Sequence, residues 1–383
     1  MKFNFRNFLT GSNGVTFLPQ IQPWIDRAEL RELKRVVEST FVSENLVTEE
    51  FESETRKLTG SKHAIAMCNG TMALFACLKA MKVGPGDEVI VPNITFVATS
   101  NAVIMTGATP VLCEITPDTF CLDVESAEKL ISAKTKVIIP VHLYGQSADM
   151  DLIVDFAKKH QIEILEDAAQ GVGVKFRGKH VGTYGRAGVL SYYANKTITC
   201  GEGGIVLTDD DEFAKECYRL KNHGRDKKGL FIHDYIGYNF SFTEMQAAVG
   251  VAQMKKLSKI IARKKAIHEM YSKELNVISE LKPQYIDERT SPVFWFVSYT
   301  TKDVESLSNY LLKFGIQTRK FFYPLNLQPC YINSSLVKNI DGNFNISEKV
   351  YNEGISLPSS YTMTENEQKF VIRKIKEFYE NRN

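Results

Sequence analysis

Between His63 and Thr208 the chain alternates short apolar runs with stretches of helical period, and nothing else in it restricts the fold as much. The runs are His63–Met67, Glu88–Val91, Pro110–Cys113, Lys136–Val141, Ile162–Glu166, Gly188–Tyr193 and Ile205–Thr208. Helices are expected between them over 72–81, 96–105, 123–132 and 151–160, and past the last of them over 211–222. Continuous apolar runs suit strands buried on both faces, and parallel strands need crossover helices. The expected fold is therefore α/β, with a mostly parallel mixed sheet covered by helices on both faces.

Outside this core, residues 1–22 read as an irregular lead-in with a turn cluster at Thr10–Gly14, followed by helices near Leu30–Val37 and 48–58. A long helix is expected from Thr243 to Leu275. Its first half is small and apolar, and its second half is basic (Lys255, Lys256, Lys259, Arg263, Lys264, Lys265), which reads as a solvated face. Such a helix would bridge a large domain, 1–260, and a smaller α+β unit, 261–383. The smaller unit should hold a strand over 293–299, a helix over 303–314, an extended stretch at 319–326 and a last helix over 364–381.

In α/β sheets ligands gather beyond the carboxyl ends of strands. Two such ends carry chemistry. Lys196 closes the run from Gly188 and precedes the glycine-rich Thr197–Gly204. Asp167 ends the run from Ile162. A desolvated lysine loses proton affinity and becomes a nucleophile. Pyridoxal phosphate needs this pair: a lysine for its aldehyde and an acid to keep its pyridine nitrogen protonated. Alone, Lys196 would pass for a surface lysine and Asp167 for a helix cap.

Asn69-Gly70-Thr71 between a strand and a helix forms a cradle of free backbone N–H groups suited to a phosphate, though the same pattern also serves as a plain cap. Phe96, heading a helix near a strand end, is placed to lie against a cofactor ring or to pack in the core. Gly173–Lys179 nearly spells a nucleotide P-loop, but His180 replaces the magnesium-binding hydroxyl and no apolar helix follows. No dinucleotide fingerprint follows a strand.

A net charge of +2 gives no reason to expect a nucleic-acid partner. The seven cysteines lack Cys-x-x-Cys spacing, so neither zinc nor a disulfide framework is indicated. No apolar run reaches membrane-spanning length and the N-terminus lacks a signal-peptide core, so a cytoplasmic location is expected.

Seven motifs stand in order: Asn69-Gly-Thr-Met-Ala-Leu74, Asn93-Ile-Thr95-Phe96-Val-Ala-Thr99, His142-Leu-Tyr-Gly-Gln146, Glu166-Asp167-Ala-Ala-Gln170, Ser191-x4-Lys196, Gly201-Glu-Gly-Gly204, and Gly237-Tyr-Asn239-Phe with Gln246-Ala-Ala248. Together they resemble the DegT/DnrJ/EryC1/StrS nucleotide-sugar aminotransferases of the aspartate aminotransferase fold (fold type I). The resemblance covers the chain from about Leu18 onward. Lys196-Thr-Ile-Thr-x-Gly-Glu-Gly-Gly204 and Phe321-Phe-Tyr323-Pro-Leu325 look closest to perosamine synthases.

The resemblance implies that Lys196 holds pyridoxal 5′-phosphate as an imine, Asp167 pairs with the ring nitrogen, Gln170 meets the ring hydroxyl and Phe96 stacks on the ring. Gly70, Thr71 and Ser191 would bind the phosphate. Asn239 would reach the phosphate of a neighbouring subunit, implying a homodimer with shared sites. Thr95, His223, Tyr323 and Asn326 are the candidate substrate contacts. Ser241 and Asn326 depart from the family's usual Arg and His near the expected sugar pocket. The implied reaction moves an amino group from L-glutamate to C4 of a nucleotide-linked 4-keto-6-deoxyhexose. A 3-keto-sugar aminotransferase and a catalytically silent regulatory protein on the same fold are the alternatives.

Overall fold

The computed structural model describes residues 17–381 apart from 227, 228, 230 and 341. The turn cluster expected at 10–14 lies outside them. In chain order the strands are β1 (His63–Met67), β2 (Glu88–Pro92), β3 (Thr109–Cys113), β4 (Thr135–Ile138), β5 (Glu163–Asp167), β6 (Lys175–Phe176), β7 (Lys179–His180), β8 (Ala187–Ser191), β9 (Gly204–Thr208), β10 (Lys282–Pro283), β11 (Thr290–Ser291), β12 (Val297–Thr300), β13 (Arg319–Lys320) and β14 (Gly354–Leu357).

Seven of these form the central sheet in the order β1-β9-β8-β5-β4-β2-β3. Its pairings are parallel from β8 through β3, and β9 alone runs against the rest. Buried β2, β8 and β9 explain the unbroken apolar runs in the sequence. Two apolar clusters cover the sheet's faces, one gathering Ile90, Ile138, Leu190 and Ile205, the other Val89, Leu165, Val189 and Val206. The expected mostly parallel mixed sheet is thus the observed one.

A four-stranded antiparallel sheet, β10-β12-β14-β13, packs with Ile267, Tyr271, Leu307 and Ile375 in a third cluster. The near P-loop is instead the tight hairpin β6–β7, paired with β11.

Four expectations need correction. The helix foreseen over 243–275 is two helices, Glu244–Met254 and Leu257–Leu275. Lys256 turns inward at the junction, where its Nζ meets Glu29 at 2.7 Å and lies 4.4 Å from the Trp24 ring. The basic half is accordingly not all solvated, since Lys256 and Lys264 are buried. The strand foreseen from Val293 begins only at Val297, because Val293–Phe296 leaves the sheet to meet the Tyr144–Gly145 turn. The helix foreseen over 123–132 is shorter, Val124–Glu128, capped by the Asp123 carboxylate.

Candidate active site

Asp167 and Lys196 come together at the carboxyl ends of β5 and β8, which pair in parallel with Asp167 opposite Val189. Successive residues on a strand face opposite sides, so the adjacent acids Glu166 and Asp167 have different surroundings. Glu166 is fully buried and accepts backbone N–H groups from Gly182 (2.6 Å), Tyr184 (2.5 Å) and Gly185 (2.8 Å). His142 Nε2 lies 3.0 Å from it, while the Ala148 N–H donates to His142 Nδ1, so Nε2 carries the proton that Glu166 accepts. Burial pushes the Glu166 carboxyl up, but the His142 hydrogen bond and the backbone N–H groups of Gly185 and Gly182 outweigh that push and hold it below its usual value. Glu166 therefore locks the 182–185 turn and leaves the chemistry to Asp167.

Asp167 accepts from the Thr99 hydroxyl at 2.7 Å and from the Ala169 N–H at 3.1 Å. Thr95 and Thr99 lie 2.9 Å apart, a buried pair of hydroxyls behind the acid. Thr95, foreseen at the substrate, thus supports Asp167 through Thr99. The four-residue spacing at the start of the helix Ala98–Met105 was the signal for this pair, and Thr99 went unassigned.

The Lys196 loop is closed on itself. Tyr192 N–H donates to Gly203 O and Cys200 N–H to Tyr192 O, both at 2.9 Å, and Thr199 Oγ1 donates to Tyr192 O at 3.1 Å. Lys196 keeps some surface open to solvent, but protein crowds its amine end. Burial pulls the ammonium down to about 8, against the opposing pull of the Asp167 charge. The Lys196 Nζ lies 4.2 Å from the centre of the Trp295 ring, whose Nε1–H donates to Asn195 O at 2.6 Å. Sequence reasoning missed Trp295, which lies far downstream and carries no local motif.

The expected turn between β1 and a helix is present at Asn69–Thr71. Asn69 caps the helix Gly70–Ala80 by accepting from Met72 N–H at 2.9 Å. A Cβ placed on Gly70 would sit 3.2 Å from Ser191 Cβ, so glycine keeps the gap between the helix start and Ser191 open. Gly70, Thr71 and Ser191 thus meet at one N-terminal, electropositive helix end. Gln170 is buried and accepts from Tyr144 N–H at 2.7 Å. Phe96 is 56% exposed, with its ring 6.0 Å from that of Phe322. A lysine with weakened proton affinity, an acid, a phosphate cradle and a free ring face suit pyridoxal phosphate.

Asn326 is buried: its side-chain oxygen accepts from Asn93 Nδ2 at 2.8 Å and its backbone N–H donates to Asn93 Oδ1 at 2.9 Å. Tyr323 is exposed and packs edge-on against Tyr351. His223 and Asn239 are exposed and form hydrogen bonds within the loop 222–241.

The sequence profile of the DegT/DnrJ/EryC1/StrS aminotransferase family matches residues 23–376. A GDP-perosamine synthase from Escherichia coli O157:H7 is 34% identical over 369 residues, 95% of this chain and 99% of that protein. One from Caulobacter vibrioides is 36% identical over 360 residues, covering 91% and 95%. The crystal structure of S. venezuelae DesV superposes with a TM-score of 0.87 at 32% identity, covering 91% and 94%. The chain belongs to the DegT/DnrJ/EryC1/StrS aminotransferase family and is a pyridoxal phosphate-dependent sugar aminotransferase.

Proposed function

We propose that this enzyme transfers the amino group of L-glutamate to C4 of a nucleotide-linked 4-keto-6-deoxyhexose, for surface polysaccharide or glycan synthesis. The observation that carries the chemistry is the placement of Lys196 and Asp167 beyond the adjacent ends of β8 and β5, near enough for the Asp167 charge to act on the Lys196 amine. The sugar rests on the two perosamine synthases, which make a GDP-linked substrate the first choice.

Bound in this cleft, pyridoxal phosphate supplies an aldehyde that bonds amines and a ring that accepts an electron pair. The chain supplies the rest. Asp167, steadied by Thr99, would hold the positive charge of the ring nitrogen. The N–H groups at Gly70 and Thr71, with the Ser191 hydroxyl, would take the phosphate. Phe96 would cover the ring and Gln170 would meet its hydroxyl. The Lys196 Nζ takes the α-proton from the donor amino acid and, in the second half of the cycle, delivers a proton to C4 of the sugar.

Incubating the protein with glutamate and a panel of 4-keto and 3-keto nucleotide sugars tests the reading by product mass. A keto-to-amino exchange confined to the 4-keto compounds is the expected result. Amination of 3-keto compounds alone would move the reaction to C3, and no exchange with any sugar would leave a silent protein.

We also propose a homodimer in which Asn239 serves the partner's phosphate site. Beside its loop stand Phe231, Ile232, Tyr235 and Ile236, all exposed, and Ile236 is 90% so. The exposed Phe41, Val42 and Leu46 adjoin Thr243–Glu244 through the Ser43–Thr243 bridge. Apolar surface of this kind marks an association face. Light scattering should give the mass of two chains, and Ile236→Asp should halve it; a one-chain mass for the unaltered protein would remove the shared site.

A further inference from the structure

The basic half of the helix Leu257–Leu275 conceals a second buried lysine. Lys264 is 3% exposed, and its ammonium donates to the carbonyls of Trp295 at 3.1 Å and Ser359 at 3.2 Å. Burial alone pulls that ammonium down to about 7. A buried cation bonded to carbonyls in place of a carboxylate is costly to keep, so what it holds is informative.

It holds the stretch Val293–Phe296. One turn further along the same helix face, His268 stacks on Phe294 with ring centres 3.6 Å apart. From the opposite side Val293 N–H donates to Gly145 O at 3.1 Å. Gly145 has φ +91°, and a Cβ there would fall 1.9 Å from Val293 O, so only glycine permits the approach. The Ser359 hydroxyl reaches the Trp295 carbonyl at 3.5 Å. Gripped from both sides, the stretch presents the Trp295 indole to the Lys196 loop, with its N–H on Asn195 O and its ring facing Nζ.

We propose that Trp295, held from behind by Lys264, is the seat that aims the Lys196 amine. Trp295 touches the reacting nitrogen, and Lys264 is a positioning residue that acts only through it. The proposal rests on the reading of Lys196 as the amine that bonds the cofactor. An amine that bonds a partner, releases it and bonds it again needs a fixed place between those events. The face of an indole offers an ammonium such a place. The Asn195 hydrogen bond fixes the backbone one residue before the lysine, so the tryptophan sets both the root and the tip of the lysine arm. Small displacements of a reacting group are costly in rate.

The full-length protein, freed of cofactor, is mixed with pyridoxal 5′-phosphate and quenched with borohydride at intervals, and the bond made at Lys196 is counted by peptide mass. Trp295→Leu and Lys264→Met should each slow that bond by about tenfold, while Trp295→Phe, which keeps a ring face, should slow it by about twofold. The chain has two tryptophans, so Trp24→Phe leaves Trp295 as the sole indole. In that background Lys264→Met should shift the indole emission to the red. Unchanged emission and an unchanged rate at Lys196 in Lys264→Met would overturn the proposal. So would a full rate in Trp295→Leu, which decides the matter even if Lys264→Met does not fold. A label on some other lysine in the unaltered protein would instead remove the underlying reading of Lys196.

Discussion

Lys196→Ala is expected to lower amino transfer by on the order of 10⁴-fold or more, the scale seen when a residue with two roles in one reaction is removed. Here the two roles are the bond to the cofactor and the proton carried at Nζ. The sign of the pH dependence follows from the amine's position. Burial pulls its ammonium down to about 8 from an ordinary 10.5. The neutral, reactive amine therefore grows as pH rises toward about 8 and levels above it, where an ordinary lysine would still be charged. Single-turnover loading of the enzyme with cofactor across pH measures this rise directly. A variant that transfers amino groups at the original rate, or a rise that continues past pH 10, would contradict the assignment.

Asp167→Asn is expected to slow the glutamate half-reaction by about 10³-fold, within the range for a misplaced or missing protonic group. The substitution keeps the shape of the side chain. It still offers an oxygen to Thr99 or Ala169, whose bonds to the carboxylate are 2.7 and 3.1 Å. What it removes is the negative charge facing the ring nitrogen, so the ring loses its pull on electrons while the fold stands. Stopped-flow spectra and a melting curve taken together separate the two effects. A slow enzyme that also melts early would point to a structural acid, and a fast one would free Asp167 of its role.

How much was legible in the sequence depends on the distance over which each feature is decided. The central sheet was legible because β2, β8 and β9 are buried on both faces and so spell unbroken apolar runs. Asp167 at the end of β5, and Lys196 and Asn69–Thr71 in the segments just after β8 and β1, were legible because local patterns mark each place. The break at Lys255–Lys256 was not, because it answers to Glu29 and Trp24, more than two hundred residues away in the chain. The short strand at Val297 fails in the same way: Val293–Phe296 reads as strand by composition, yet a glycine at 145 draws it out of the sheet. The hydrogen bond from Asn93 to the Asn326 side-chain oxygen was not legible either, because the two residues stand far apart in the chain. The helix Asn345–Glu353 and the strand β14 after it carried no signal that sequence reasoning used.

The reversed course of β9 has a consequence for engineering. Because β8 and β9 are antiparallel neighbours, the twelve-residue connection between them, 192–203, is moored to one rigid platform at both ends. Its lysine can travel only by swinging its own flexible stem. Trp295 faces it, and the rings of Tyr144, Phe322 and Phe96 follow on from Trp295 in turn, from three further parts of the chain. A library that varies Phe322, whose ring lies 6.0 Å from that of Phe96 and 5.4 Å from that of Tyr144, can therefore alter the surroundings of this aromatic group without touching the moored connection.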